Sequence, residues 1–125
     1  MPREIITIPD SPNYPFSQVV RAGDYLFLSG QGGFKDPRTG KAIHGIEAQT
    51  KQCLENMKQV LETASSSLDD VVKVTVFLGN RNDFEKMNKV YQAFFPNGYP
   101  ARSTAITGLA IPEMLVEIEC VAYSP

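Results

Sequence analysis

The chain has 125 residues, 42% of them hydrophobic and 21% charged, with a formal net charge of -2. That length favours one domain, 1–125, that buries roughly two-thirds of its unfolded surface. There is no overall basic signature for nucleic acid, Lys and Arg do not cluster, and no apolar run approaches the ~20 residues of a membrane span.

The first ten residues lack a charged-then-apolar leader, so the expected compartment is the cytosol. Cys53 and Cys120 lie far apart, each within an apolar pattern, and read as two buried, reduced thiols. With one histidine, His44, and no Cys-x-x-Cys, the ligand set of a zinc site is missing, and no metal is expected. His44 follows the turn Asp36-Pro37-Arg38-Thr39-Gly40 and reads as a loop residue.

In chain order, Glu4 to Ile8 is a short β-branched strand. Pro9, Pro12 and Pro15 then forbid a helix. Gln18 to Ala22 and Tyr25 to Gln31 read as a hairpin, joined by Gly23-Asp24 in a II′-type turn. Gly30, Gly32 and Gly33 interrupt the end of the second strand, which marks either a plain bulge or a close approach of another group to the backbone. They do not make a nucleotide-binding loop, because neither Gly-x-Gly-x-x-Gly nor a Walker pattern follows.

From Ile46 to Ala64, Cys53, Leu54, Met57, Val60, Leu61 and Ala64 recur at three-four spacing and make one face of a helix. Val71 to Leu78 is heavily β-branched and predicts a strand. Asn82, with Glu85 three residues on, predicts the N-cap of a second helix whose buried face is Phe84, Met87, Val90, Tyr91, Phe94 and Phe95. Pro96 to Pro100 ends that helix. Ala101 to Thr107 and Met114 to Ala122 complete the strands. Two helices covering one face of a sheet make a two-layer α+β architecture. The other face is expected to carry Val74, Val76 and Leu28, and to be covered by self-association.

Two features point to chemistry. Arg102 opens what reads as a buried strand, and its planar guanidinium matches a carboxylate with two parallel hydrogen bonds. Glu117 and Glu119 are the carboxylates embedded in an apolar strand, where burial raises a carboxyl pKa toward that of a general base. Arg102 is therefore a candidate anchor for an anionic small molecule, and Glu117 a candidate to activate water. The plainer alternative is that Glu117 neutralises a buried Arg102. Neither cysteine has a histidine near it in sequence, which disfavours a covalent route.

These residues carry a resemblance. Ser29-Gly30-Gln31, the Asp36-to-Gly40 turn, Gln49 to Leu61 with Asn56, Asn88 with Tyr91-Ala93-Phe94-Phe95, and Pro100-Ala101-Arg102-Ser103 followed by Glu117-Ile118-Glu119 resemble the RidA/YjgF family. The likeness runs from about Ile5 to Ala122. It implies a chorismate-mutase-like two-layer fold with a mixed sheet, packed as a trimer around a central barrel with sites between subunits. It also implies cofactor-free hydrolysis of 2-imino or 2-enamino acids to 2-keto acids and ammonia. By this resemblance Arg102 clamps the substrate carboxylate, Gly30 offers backbone, Glu117 holds water, and Asn88 faces the site. Thr104, or a main-chain carbonyl near it, contacts the imine nitrogen. Two positions depart from the pattern: Phe16 stands where archetypal members have tyrosine, and Thr104 where a cysteine is common. Alternatives are a carboxylate-binding regulator with little turnover, a deaminase for a larger enamine such as 2-aminomuconate, and a ribonuclease, which the net acidity disfavours.

Overall fold

The computed structural model describes residues 2–125. The β-branched and aromatic runs form β1 (Glu4–Ile6), β2 (Val19–Ala22), β3 (Tyr25–Gly32) and β4 (Val71–Leu78). The two amphipathic segments form α1 (Ile46–Thr63) and α2 (Phe84–Ala93), and β5 (Ala101–Ile106) and β6 (Val116–Tyr123) close the chain. All eight lie where the sequence places them, with ends differing by one to a few residues. The capping differs. Asn80, not Asn82, caps the approach to α2: its side chain accepts from the Asn82 N–H at 2.9 Å, and a 3₁₀ turn over Arg81–Asp83 precedes the helix.

The strands form one six-stranded sheet in the order β1-β2-β3-β6-β4-β5. Among the described residues only β4 and β5 pair in parallel, because α2 carries the chain between them. The β2–β3 turn closes with Ala22 opposite Tyr25, and Gly23 takes the positive φ of 59° that such a turn requires at its first position. The bulge read from the glycines is present, as a register shift between Leu28 and Gln31 where β3 meets β6.

Both helices lie on one face of the sheet. Leu54, Met57 and Leu61 of α1 and Met87 of α2 share a core with Val74, Val76, Leu78 and Ile118, all at 0% exposure. Each such side chain contributes about 1.5–3 kcal/mol by leaving water. Val74, Val76 and Leu28 therefore face the helices, which corrects the expectation that they line the other face. The alternation along β3 and β4 holds, with the opposite phase. The uncovered face instead carries Ile5, Val20, Phe27 and Val121 in one row across four strands, with Tyr25 opposite Tyr123 in the next. Phe27 is 48% exposed, so the sheet is half-covered as expected, through different residues. Both cysteines are free and buried.

A buried glutamine ties loops together near the end of β3. Gln49 of α1 donates from Nε2 to the carbonyls of Ile43 and Glu113, both at 3.0 Å, and its Oε1 accepts from the Leu115 N–H at 2.8 Å. Asn56, two turns on, donates to the Gly32 carbonyl at 2.9 Å.

Candidate active site

β5 is an edge strand, and Ala101, Ser103, Ala105 and Ile106 are exposed along it. The expectation of a buried strand fails because nothing pairs with its outer side. Exposure of the edge leaves Arg102 accessible. Arg102 stands opposite Val74 in the parallel register, so it takes the face of Val74, beneath α2. Its guanidinium carbon lies over the Tyr91 ring, 4.7 Å from the centroid, and 5.8 Å from that of Phe84. Among the described residues the single ion pair is Arg38 with Asp36, so no carboxylate neutralises Arg102.

A cleft of about 320 Å³ opens there, lined by Asn88, Tyr91, Gln92, Tyr99, Pro100 and Arg102. Polar groups in it, and Thr104 two residues along the same face of β5, are under-used. Asn88 Oδ1, the Tyr91 hydroxyl and Thr104 Oγ1 are buried without a hydrogen-bond partner. A buried orphan of this kind costs about 1–3 kcal/mol, and a ligand is one thing that relieves it. Burial pushes the Tyr91 hydroxyl pKa up to about 12; the Arg102 charge pulls it down, and Cys120 adds to the rise. Cys120 itself is pushed up to about 12, first by burial and then by Glu119, which makes it a poor nucleophile.

Glu117 belongs to a second cluster. It stands opposite Gly32 on β3 and Phe77 on β4, on the uncovered face. Its carboxylate folds over Gly30, where a Cβ would collide with it. Gly30 therefore marks both a bulge and a close approach, the two possibilities its sequence context left open. Burial raises the Glu117 pKa, and the like charge of Glu119 raises it further. Phe16 lies on the same face, with Ser17, Ser29 and Glu119 along one groove. It is 51% exposed and stacks on Tyr14, ring centroids 4.9 Å apart and planes 3° from parallel.

The predicted site residues thus fall into two groups. Asn88, Arg102 and Thr104 gather under α2, whereas Phe16, Gly30 and Glu117 gather on the uncovered face. Register separates the groups. Arg102 pairs with Val74 and Glu117 with Phe77, three residues apart on β4, and an odd step changes face. Glu117 therefore does not neutralise Arg102 within a protomer. Tyr91, Gln92 and Tyr99 line the cleft without having been singled out in the sequence as site residues. The i, i+7 recurrence of Phe84 and Tyr91 was the available signal, but it also fits a core-facing stripe.

The fold and cleft define a two-layer α+β protein with an unpaired cationic anchor at a sheet edge. The family model described as Endoribonuclease L-PSP matches residues 8–124. A RutC family protein of Pyrococcus horikoshii is 44% identical over 124 residues, covering 97% of this chain and 98% of its own. A 2-iminobutanoate/2-iminopropanoate deaminase of Dermatophagoides farinae is 39% identical over 123 residues, covering 96% of this chain and 95% of its own. The crystal structure of E. coli TdcF with bound serine superposes with a TM-score of 0.88 at 33% identity, covering 98% and 99%. The chain belongs to the RidA/YjgF family. The deaminase kind of activity goes with that membership.

Proposed function

We infer that the protein hydrolyses reactive 2-imino and 2-enamino acids to 2-keto acids and ammonia. The observation that carries this reading is the Arg102 guanidinium, without an ion-pair partner among the described residues, in a cleft where Asn88 Oδ1 and the Tyr91 hydroxyl are buried and lack partners. A 2-imino acid offers that cleft a carboxylate for the fork and an adjacent nitrogen for the amide and hydroxyl groups. The named substrate of the mite relative and the serine held by the bacterial one have the same chemistry, a small acid with nitrogen at C2.

The chemistry needs little from the protein. Water adds its oxygen to C2 of the imine while Glu117 takes the water's proton, and the electron pair of the C=N bond goes to nitrogen. The nitrogen is then protonated, the C–N bond breaks, ammonia leaves, and loss of the hydroxyl proton gives the keto acid. Glu117 suits the base role because its raised pKa lies nearer neutrality than that of an ordinary carboxylate. No cofactor enters these steps.

Because Arg102 and Glu117 occupy opposite faces, a site that uses both draws Glu117 from a second copy. A homotrimer of this single domain, 1–125, with sites between subunits, meets that need and covers the apolar face. In each site Asn88, Arg102 and Thr104 of one subunit meet Phe16, Gly30 and Glu117 of the next. A second reading, a carboxylate-binding protein with little turnover, is favoured by one observation: Phe16 puts no hydroxyl on the Glu117 face and stacks instead on Tyr14.

The test generates 2-iminobutanoate and 2-iminopropanoate with an amino-acid oxidase and traps them with semicarbazide. Wild type is expected to suppress semicarbazone formation and Arg102→Ala is not. Loss of a bidentate charged contact of about 3 kcal/mol corresponds to a drop in kcat/KM of about 100-fold. Identical semicarbazone rates with and without wild-type protein would end the deaminase reading for these substrates. Binding of the keto acid without turnover would favour the second.

A further inference from the structure

The Arg102 side chain poses a physical problem. An arginine carries about 2 kcal/mol of rotamer entropy, and among the described residues this one has no ion pair to hold it. A carboxylate partner would fix it, but would also occupy the donors that a ligand needs. The protein uses a different restraint. Phe84 and Tyr91 stand seven residues apart, two turns of α2, and so project from one side of the helix toward β5. The guanidinium carbon is within 5.8 Å of one ring centroid and 4.7 Å of the other. Both separations fall within the range of a cation–π contact. Such a contact uses the face of the guanidinium and leaves the N–H donors at its rim.

We propose that Phe84 and Tyr91 are positioning residues, an aromatic clamp that holds the guanidinium by its face and turns its fork toward a bound carboxylate. The proposal rests on Arg102 as the anchor and adds how that anchor is set. It also assigns Phe84. The sequence reads it as part of a buried stripe, yet it is 40% exposed, and its contact with Arg102 accounts for an aromatic ring there. Tyr91 is 4% exposed and its hydroxyl has no partner, so the ring and not the hydroxyl does the positioning.

The experiment measures binding of 2-oxobutanoate by calorimetry, together with the motion of the Arg102 Nε–H by NMR in the unliganded protein. The variants are Phe84→Leu, Tyr91→Leu, Tyr91→Phe and Arg102→Ala. Phe84→Leu alters a partly exposed position and keeps the fold measurable. We expect affinity to fall about threefold in Phe84→Leu and about tenfold in Tyr91→Leu, with the Arg102 signal more mobile in both. Tyr91→Phe, which keeps the ring, restores the restraint on the Arg102 Nε–H that leucine removes. In the imine assay the leucine variants raise KM and spare kcat, a split that general destabilisation does not produce. If Arg102→Ala weakens binding while both leucine variants bind as wild type does, the clamp is overturned and the anchor stands. If Arg102→Ala also binds as wild type does, the anchor and the clamp fall together.

Discussion

At the scale of single residues, two acidic groups share the uncovered face, and Glu119 bears on the charge of Glu117. Burial and the neighbouring Glu119 both raise the Glu117 pKa. A base must be ionised, so activity is expected to fall on the acid side at a higher pH than an unperturbed carboxylate would give. Glu119→Gln removes the like charge and moves that acid limb to lower pH, as a kcat/KM–pH profile would reveal. Stability runs the other way. A carboxyl whose folded pKa is raised stabilises fully below its unfolded pKa, and that contribution is lost as pH rises through the folded one. Glu117→Gln is therefore expected to flatten the decline in stability across that window, measured by urea unfolding at a series of pH values. Gly30→Ala places a methyl where the Glu117 carboxylate lies. We expect about a tenfold or greater loss of kcat, of the size assigned to a misplaced catalytic group, with an unchanged circular dichroism spectrum. Arg102 and Glu117 were legible in the sequence because charge inside an apolar strand is rare. Tyr91 was not, since a cleft-lining aromatic and a core aromatic recur at the same helical spacing.

At the scale of elements, the period of each segment survived in the fold and the details of its ends did not. The three-four spacing of α1 was enough to place it to within a residue at its C-terminal end. The start of α2 was harder. Asn80 and Asn82 are both good caps, and the 3₁₀ turn that selects Asn80 depends on how the chain leaves β4. Gln49 shows how a polar residue on a buried helix face can be structural. Its three hydrogen bonds join the chain before α1 to the loop before β6, the strand that carries Glu117. Gln49→Leu keeps the volume but leaves two carbonyls and one N–H without their partner. It is expected to lower stability by about 2–4 kcal/mol, read as a lower urea midpoint at constant slope.

At the scale of the whole molecule, the half-covered sheet dominates. Ile5, Phe27, Tyr25 and Tyr123 are each 44% exposed or more, an apolar surface of the kind that marks an interface. If a trimer covers it, sedimentation velocity will give a species of about three chain masses for the wild type. Phe27→Asp, which sets a charge in the middle of the row, will shift it toward monomer. The same variant is expected to lose imine hydrolysis even though Arg102 and Glu117 are intact, because each would lack the other's half-site. Among the described residues no helix is long and apolar enough to cross a membrane.

The order of elements, the two-layer α+β class and the separate candidacy of Arg102 and Glu117 were all legible in the chain. Those depend on local periodicity and on residue chemistry, which the chain carries wherever it is placed. Only the tertiary structure decided which face the helices cover. Alternation along a strand defines two sets of residues, but packing chooses which of them meets α1 and α2. Here the choice put Val74 and Val76 inside and Phe27 outside. The same choice set Arg102 beneath α2 and Glu117 on the opposite face. The separation of the two groups follows from the registers of β4, β5 and β6, a long-range pairing that no local pattern in the chain encodes.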